Sequence, residues 1–464
     1  MDTTPPRVPN RAWKALASYQ REEGYYTLAT EDTRGVPVRL FLTPALLEAA
    51  EEDLYPQIVN ATRFPGVQLV VITPDVHQGY GVPVGCVILT SGTIALGPVG
   101  YDIGCGMISL RSEVPAERAT PGARMAFSRA VMSTVAMGVG SVNKELGTLE
   151  PRVFEALVRG GAREYVRRYG SRLDPERTEG GDFAVADSWQ MPKGRADRGR
   201  AQLGTLGGGN HFIELQRCEE TQSLFVQIHT GSRGFGHGLA QHYFERARAE
   251  NPAIRQLDMG YFAPDSPTRA DYLSAVAAGR NFATINRLII AEQVIAAFED
   301  TFGGKLELIA EISHNLVQRE THPEFGRVWV HRKGATRAFP AGHPDLAGTQ
   351  WADTGYPILV PGSNRDYSYV LDARPNASRS AYSVNHGAGR RMARKQALRT
   401  LSQRDVNQRY RHAGVLVNAG ADVPLDESDA VYKPAGEVLE AILAADLAAV
   451  RYTLWPLASL KGAD

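Results

Sequence analysis

The amino-acid sequence predicts an α+β fold: one large mixed α/β domain over residues 1–464, with central β-sheets and surrounding helices. Three observations predict it. Short β-branched runs and helix-period segments mix without a regular βαβ rhythm, which argues against a doubly wound sheet. No internal repeat with a period of about 20–50 residues is visible. Finally, six His-, Cys- or Asp-bearing islands, mostly glycine-rich, are spread along the chain. They must converge to form one site, and that favours a single domain over separable modules.

Residues 1–35 are polar with scattered aromatics and read as a peripheral N-terminal segment. Thr43 is placed as N-cap of a helix that starts at Pro44, a residue suited to the first helical position. Gln68–Ile72 is a short apolar, β-branched run ending at Pro74, which predicts a buried strand. Val82–Leu89 and Thr93–Leu96 follow as strands before the Asp102–Cys105 loop. Residues 122–170 carry helical spacing, whereas the charged, Gly-rich stretch 171–200 reads as a mobile surface excursion. Leu224–His229 alternates and places His229 at a strand end. Asn281–Phe302 is the strongest helix, with Ile285, Leu288, Ile289, Val294 and Phe298 at helical spacing. Leu306–Ile312 returns as a strand and delivers His314. A last helix is placed at about Gly436–Leu454.

Composition narrows the function classes. Lys plus Arg and Asp plus Glu balance at 51 each, so no net positive field advertises a nucleic-acid partner. A local basic stretch exists at residues 387–411, with Arg390, Arg391, Arg394, Lys395, Arg399, Arg404, Arg409 and Arg411. The three cysteines, Cys86, Cys105 and Cys218, are too few for a disulfide framework and suit a reducing compartment. With no signal-peptide pattern and no apolar run of about 18 residues, the expectation is a soluble, cytoplasmic protein.

The islands carry the chemistry. They are Pro74–Gly79, Asp102–Gly106, Gly207–Glu214, His229–Gly234, His314-Asn315 and His386–Arg390. Asp102-x-x-Cys105 sets a hard carboxylate and a soft thiolate within one turn of chain, and a thiolate can bridge two cations. His211, His229 and His314 add imidazoles of the kind that hold borderline divalent metals. No CxxC pair or HxxxH spacing occurs, so a structural zinc site is excluded, and mixed Asp/Cys/His ligation suits Mn²⁺, Zn²⁺ or Co²⁺ alike. The glycines before Asn210 and the Gly231-Ser232-Arg233-Gly234 turn suit phosphate. His386, followed by small residues and Arg390, suits nucleophilic attack on phosphorus. Lys433 is a further cation that could meet a nucleotide. No GxxxxGK[ST] loop is present, so a nucleotide would be bound by another device.

These islands resemble the RtcB family of RNA-splicing ligases. The matching strings, in order, are Pro74–Gly79, Asp102–Met107, Gly204–Glu214, His229–Gly234, His331–Thr336 and His386–Arg390, and the resemblance runs from about residue 40 to Gly462. It implies a catalytic domain of RtcB type that uses GTP and two Mn²⁺ ions. The reaction it implies joins an RNA 3′-phosphate or 2′,3′-cyclic phosphate to a 5′-hydroxyl, in tRNA splicing or RNA repair. One metal would be held by Asp102, Cys105 and His211, the other by Cys105, His229 and His314. His386 would carry GMP. The nucleotide would be contacted by Asn210, His211, Phe212, Ile213, Glu214, His314, Asn315, Pro361, Gly362, Ser363, Asn364, Ser368, His386, Gly387, Ala388, Gly389 and Lys433. The resemblance further implies a monomer, with an archease-type activator as a partner to test. The alternative is a 3′-phosphate guanylylating (capping) enzyme or a phosphoesterase paralogue that does not ligate.

This chain departs from the family pattern near the expected nucleotide. After Pro361-Gly362-Ser363 it has Asn364-Arg365-Asp366 where the family continues Met-Gly. Asn385 and Ala393 stand where Ser is usual, and Thr230 replaces Ser. These changes bear on nucleotide preference and RNA substrate, and they fit a repair-type paralogue.

Overall fold

A computed structural model describes residues 6–179 and 184–463. Two sheets organise the chain. The first has seven strands in the order Ala17–Gln20, Tyr25–Leu28, Val38–Leu40, Val67–His77, Val84–Thr90, Gly326–Lys333 and Asn315–His322. Only Val38–Leu40 and Val67–His77 pair in parallel; the other neighbours are antiparallel. The second runs Glu307–Ser313, Gly106–Pro115, Ser223–Thr230, Phe212–Cys218, Ala448–Leu460, Ser368–Ala373 and Ile358–Val360, with Leu416–Val417 added in parallel beside Ala448–Leu460. The architecture is α+β, as the mixed pattern predicts.

At one of its crossings between the sheets the chain needs only a single residue, because Glu307–Ser313 is an edge strand of the second sheet and Asn315–His322 an edge strand of the first. That residue is His314. Four neighbouring strands of the second sheet are antiparallel in turn, so the C-terminal ends of two and the N-terminal starts of two meet on one side. The register pairs Ser313 with Gly106, Gly106 with Thr230, and His229 with Phe212. Cys105, His211, His229 and His314 therefore crowd along one rim of the sheet although they are up to 209 positions apart in the sequence.

Behind that rim lies the helix Arg269–Phe302, of 34 residues, buried over most of its length. It begins twelve positions before the expected Asn281, since its first turns pack through Tyr272, Ala275 and Val276. Two adjacent helical residues grip the loops above. Asn286 accepts from the Gly204 and Thr205 N–H groups (2.7 and 3.0 Å) and donates to the Thr205 and Gly231 carbonyls (3.0 and 3.2 Å). Arg287, fully buried, donates to the carbonyls of Gly104 (2.9 Å) and Thr230 (2.6 Å) and to the Ser313 hydroxyl (3.2 Å). Its charge is matched by Glu311, 2.8 Å from Nε.

Other elements sharpen the sequence reading. Thr43 does cap the helix Pro44–Ala49, accepting from the Leu46 N–H at 3.1 Å. The strand at Gln68–Ile72 continues to His77, with an irregular register between Ile72 and His77 where Pro74 cannot donate to the ladder. The helical region 122–170 is two helices, Pro121–Thr134 and Pro151–Tyr169. The expected last helix stops at Ala444; Asp446 then takes a left-handed conformation (φ 50°), and Ala448–Leu460 is a strand. Its β-branched and aromatic residues, Val450, Tyr452, Thr453 and Trp455, override the helix-forming alanines before them.

Residues 17–28 form edge strands of the first sheet. The stretch 171–200 does not lie wholly on the surface, because Glu179 and Trp189 are buried, the latter donating to the Tyr243 hydroxyl at 3.0 Å. Parts of both expected segments, residues 1–5 and 180–183, lie outside the described residues. Among the described residues, no helix is long and apolar enough to cross a membrane.

Candidate active site

Two overlapping sets of donors meet at the sheet rim: Asp102, Cys105 and His211 form one, and Cys105, His229 and His314 the other. Cys105 Sγ lies 3.6 Å from His211 Nε2 and 3.3 Å from His229 Nε2. His229 Nε2 lies 3.3 Å from His314 Nε2, and His211 Nε2 lies 3.3 Å from Asp102 Oδ2. Bonds of ~2.0–2.3 Å to a shared cation give donor–donor edges of about this length. The ring tautomers also suit ligation. His211 Nδ1 is 2.9 Å from the Leu206 carbonyl and His229 Nδ1 is 3.1 Å from the Asn210 carbonyl. A carbonyl only accepts, so each Nδ1 carries the hydrogen and each Nε2 turns a lone pair inward.

Electrostatics favours the same reading. Burial, reinforced by neighbouring imidazoles, keeps His229 and His314 well below the ordinary histidine range, hence neutral and able to ligate. Although burial opposes its charge, Asp102 is held below the usual carboxylate range by His211 and Arg233. Its Oδ1 also accepts from the Ser232 N–H (2.8 Å) and hydroxyl (3.1 Å). Gly231 permits this approach, since a Cβ there would lie 2.3 Å from the carboxylate oxygens. Burial and Asp102 push the Cys105 thiol well up, so a cation is needed to draw out its thiolate. The donor set fits a metal centre.

His386 stands beside this centre, its ring centroid 4.8 Å from that of His314. Its Nδ1 is 2.6 Å from Asp75 Oδ2, and its backbone N–H donates to the same oxygen at 3.1 Å. Asp75 is fully buried and its other oxygen accepts from the Thr73 hydroxyl at 2.6 Å. Burial alone would raise this carboxyl, but His386 and Thr73 hold it low. With Nδ1 so engaged, Nε2 is the nitrogen left to react. Gly389 is obligatory here: its φ is +76°, and a Cβ would fall 2.1 Å from the Asp75 carbonyl. Asn385 donates to the Gly387 carbonyl at 2.8 Å and shapes the same turn.

A cavity of about 490 Å³ opens from His386 and His229. Its walls include Asn210, Phe212 and Glu214 from one strand start, Pro361, Gly362, Ser363 and Asn364 from a loop, and Gly387, Ala388 and Gly389 beside the nucleophile. Asp102 also lines it, while Cys105, His211 and His314 complete the donor sets beneath. Besides His211 and His314, four expected contacts do not line the cavity. Strand alternation turns Phe212 and Glu214 to the cavity and Ile213 into the core, fully buried. Asn315 uses its carboxamide on the Gly334 N–H (2.8 Å) and the Asp102 carbonyl (3.2 Å). Ser368 is buried and accepts from the Gly362 N–H at 3.0 Å, propping the loop. Lys433 donates to the carbonyls of Pro74 (3.2 Å) and Val76 (2.6 Å), which fixes the chain on both sides of Asp75.

Several residues of the site are not singled out by the sequence, Asp75 within the Pro74–Gly79 island among them. Tyr432, Glu427 and Lys461 also line the cavity. Glu427 gathers Arg390 (3.2 Å), Arg394 (2.8 Å) and Lys461 (3.4 Å) and accepts from the Tyr432 hydroxyl. Tyr432 sits next to the selected Lys433, yet a strand-like stretch exposes alternate faces, and only the fold tells which one meets the cavity. Glu214 is buried, and burial raises it to about 7 against the opposing effects of Ser459, Lys461 and Gln216. The His331–Thr336 string is structural at its start: His331 lies 3.0 Å from both the Ile88 carbonyl and the Ala95 N–H, and Arg332 pairs with buried Glu320.

The donor sets suit metal ions, and the carboxylate-held histidine beside them is the equipment of an enzyme. Comparison by sequence carries the assignment further. The profile described as tRNA-splicing ligase RtcB matches residues 57–462. The tRNA-splicing ligase RtcB of Pyrobaculum aerophilum is 34% identical over 442 residues, 88% of this chain and 90% of the relative. That of Aeropyrum pernix is 32% identical over 480 aligned positions, covering 96% and 99%. The RNA-splicing ligase RtcB of Mycobacterium tuberculosis is 34% identical over 436 residues, covering 88% and 100%. The chain belongs to the RtcB family.

Proposed function

We propose that this protein is an RNA ligase that joins a 3′-phosphate or 2′,3′-cyclic phosphate end to a 5′-hydroxyl end, using GTP and two Mn²⁺ ions. One observation carries the reading: His386, held through Nδ1 by buried Asp75, presents Nε2 beside two donor sets that share Cys105. Asp102, Cys105 and His211 would hold one ion and Cys105, His229 and His314 the other. Bound there, the ions supply neutralisation of phosphate charge and alignment of the reacting oxygens.

His386 Nε2 attacks the α-phosphorus of GTP; an N–P bond forms, the bond to the bridging oxygen breaks, and pyrophosphate leaves. Asp75 holds the Nδ1 proton and stabilises the charge that develops on the ring. An oxygen of the RNA 3′-phosphate then attacks the same phosphorus, the N–P bond breaks, and GMP is joined to the RNA end. A cyclic end must first be opened by water to the 3′-phosphate. The 5′-hydroxyl finally attacks the RNA 3′-phosphorus, GMP leaves, and a phosphodiester remains. Glu214 is the group suited to select guanine, since a carboxylate can accept from its N1–H and 2-amino group together. Phe212 and Tyr432 supply apolar walls at that end, and Asn210 and Gly387–Gly389 offer polar groups near the phosphates.

A cytoplasmic monomer working on tRNA halves or damaged RNA, with an archease-type activator, completes the reading. The test is incubation with GTP, Mn²⁺ and two RNA strands bearing a 3′-phosphate and a 5′-hydroxyl. A joined strand is expected. Accumulation of a guanylylated 3′-end alone, or of a dephosphorylated strand, would replace ligation by the capping or phosphoesterase alternative.

A further inference from the structure

The cations of the basic stretch 387–411 have no part in the reaction described above, and the fold divides them into two layers. The inner layer is matched by carboxylates. Arg390 and Arg394 line the cavity and both reach Glu427, and Arg394 is also 3.2 Å from Asp426. Arg409 lies 3.3 Å from Asp429, which pairs with Arg365 as well. The outer layer is different. Arg391, Lys395, Arg399, Arg404 and Arg411 are exposed, and none pairs with a carboxylate among the described residues. Arg391, Arg399 and Arg411 give Nε to the carbonyls of Ala430 (3.0 Å), Lys395 (3.2 Å) and Asn407 (3.3 Å), which steadies each arm and leaves its charge unmatched. Against these five stand two exposed acids of the neighbouring chain, Asp405 and Asp422. A sequence balanced at 51 charges of each sign therefore carries a local positive surplus.

The surplus begins at the cavity. Arg391 and Lys395 directly follow Arg390 and Arg394, which line it. A Cβ on Gly209 would lie 2.9 Å from the Arg394 guanidinium, so this start lies beside the loop that carries Asn210 and His211. Lys395 and Arg399, four positions apart in the helix Arg394–Thr400, are neighbours about 5–6 Å apart on one face. Arg404 and Arg411 continue the strip on the next helix, Gln403–Ala413. Unpaired arginine and lysine in such a row suit successive phosphates. A protein partner would need an apolar anchor, and Leu398 is the one large apolar side chain exposed there. We infer that this strip binds the phosphate backbone of an RNA strand whose end lies in the cavity, by charge and without regard to base. The inference rests on the reading of the site as an RNA ligase, because that reaction brings two strands to the cavity and the chain behind each end must leave across its rim.

The experiment measures binding by fluorescence anisotropy over a range of salt. Two labelled RNA oligonucleotides are used, one ending in a 3′-phosphate and one beginning with a 5′-hydroxyl. The variant is Lys395→Gln/Arg399→Gln/Arg404→Gln. A charge-matched control, Arg248→Gln/Arg255→Gln/Lys305→Gln, removes exposed cations elsewhere on the surface. The strip variant should bind RNA about tenfold more weakly. Each lost phosphate contact flattens the plot of log affinity against log salt by about 0.7, so its slope should fall by about 2. The control should stay within about threefold of wild type, and GMP labelling from GTP should be unchanged in both. The oligonucleotide that responds names the strand the strip carries. Wild-type affinity in the strip variant, or equal losses in variant and control, would overturn the strip and leave the ligase reading standing. Wild-type protein that loses RNA with the strip yet takes no label and joins no ends would keep the strip and overturn that reading.

Discussion

His386 can be a nucleophile only if its ring is held with the correct nitrogen forward, and Asp75 does the holding. The carboxylate receives both the Nδ1 hydrogen and the backbone N–H of His386, and Lys433 clamps the carbonyls on either side of it. In Asp75→Asn the shape survives but the charge that supports the ring is lost. The rate of covalent GMP labelling should fall about a hundredfold or more, while the KM for GTP stays within about threefold of wild type, on the same scale of positioning effects. A parallel loss in both would mean that Asp75 only maintains the cavity. Glu214 predicts a pH dependence. Burial raises its carboxyl to about 7, so it is protonated below that value and cannot accept two N–H groups from a base. The apparent KM for GTP should therefore be about tenfold higher at pH 6 than at pH 8, and Glu214→Gln should flatten this profile. The sign for stability is opposite. An acid whose folded value lies above its ordinary 4.5 binds its proton more tightly when folded, so its contribution to stability is lost as pH rises from about 4.5 to 7.

Among the elements, the helix Arg269–Phe302 and the four strand ends above it form the candidate metal centre together. Arg287 contacts the backbone next to Cys105, the backbone next to His229, and Ser313 next to His314, while pairing with Glu311. Arg287→Met would leave Glu311 buried without its partner, a loss of about 3–5 kcal/mol. Both the melting temperature and the Mn²⁺ affinity measured by calorimetry should fall. Retained affinity in a destabilised variant would show that the strands hold their ends without the helix. This coupling was only half legible in the sequence. The β-branched runs gave the strands that lead into His229 and His314, and helical spacing gave the core of the long helix. Nothing in the sequence marks Arg287 among the arginines, because its partners in Gly104, Thr230 and Ser313 exist only after folding. The same limit applies at Ala448–Leu460, where alanines suggested helix and cross-strand pairing with Ser368–Ala373 and Phe212–Cys218 decided for strand. Motif residues with unusual chemistry were found from the sequence, whereas the supports that orient them were not.

Across the whole molecule, the candidate metal centre sits at a point where one sheet hands the chain to the other, so ligation there would be linked to folding. A cation that binds the folded state alone adds about 2.7 kcal/mol at a concentration one hundred times its dissociation constant. Added Mn²⁺ should raise the melting temperature and a chelator should lower it, with Cys105→Ser showing a smaller shift because both donor sets lose their shared thiolate. Scanning calorimetry checks this; an identical shift in the variant would remove Cys105 from the centre. Ligation by this site requires covalent transfer through His386. The direct measurement is incubation with α-³²P-GTP and Mn²⁺, followed by denaturing gel and acid or alkali challenge. The expected result is a label on the protein that is lost in acid, stable in alkali and absent from His386→Ala, with Mn²⁺ binding nearly unchanged in that variant. A label that persists in His386→Ala, or no label on metal-loaded wild-type protein even with an activating partner, would contradict it.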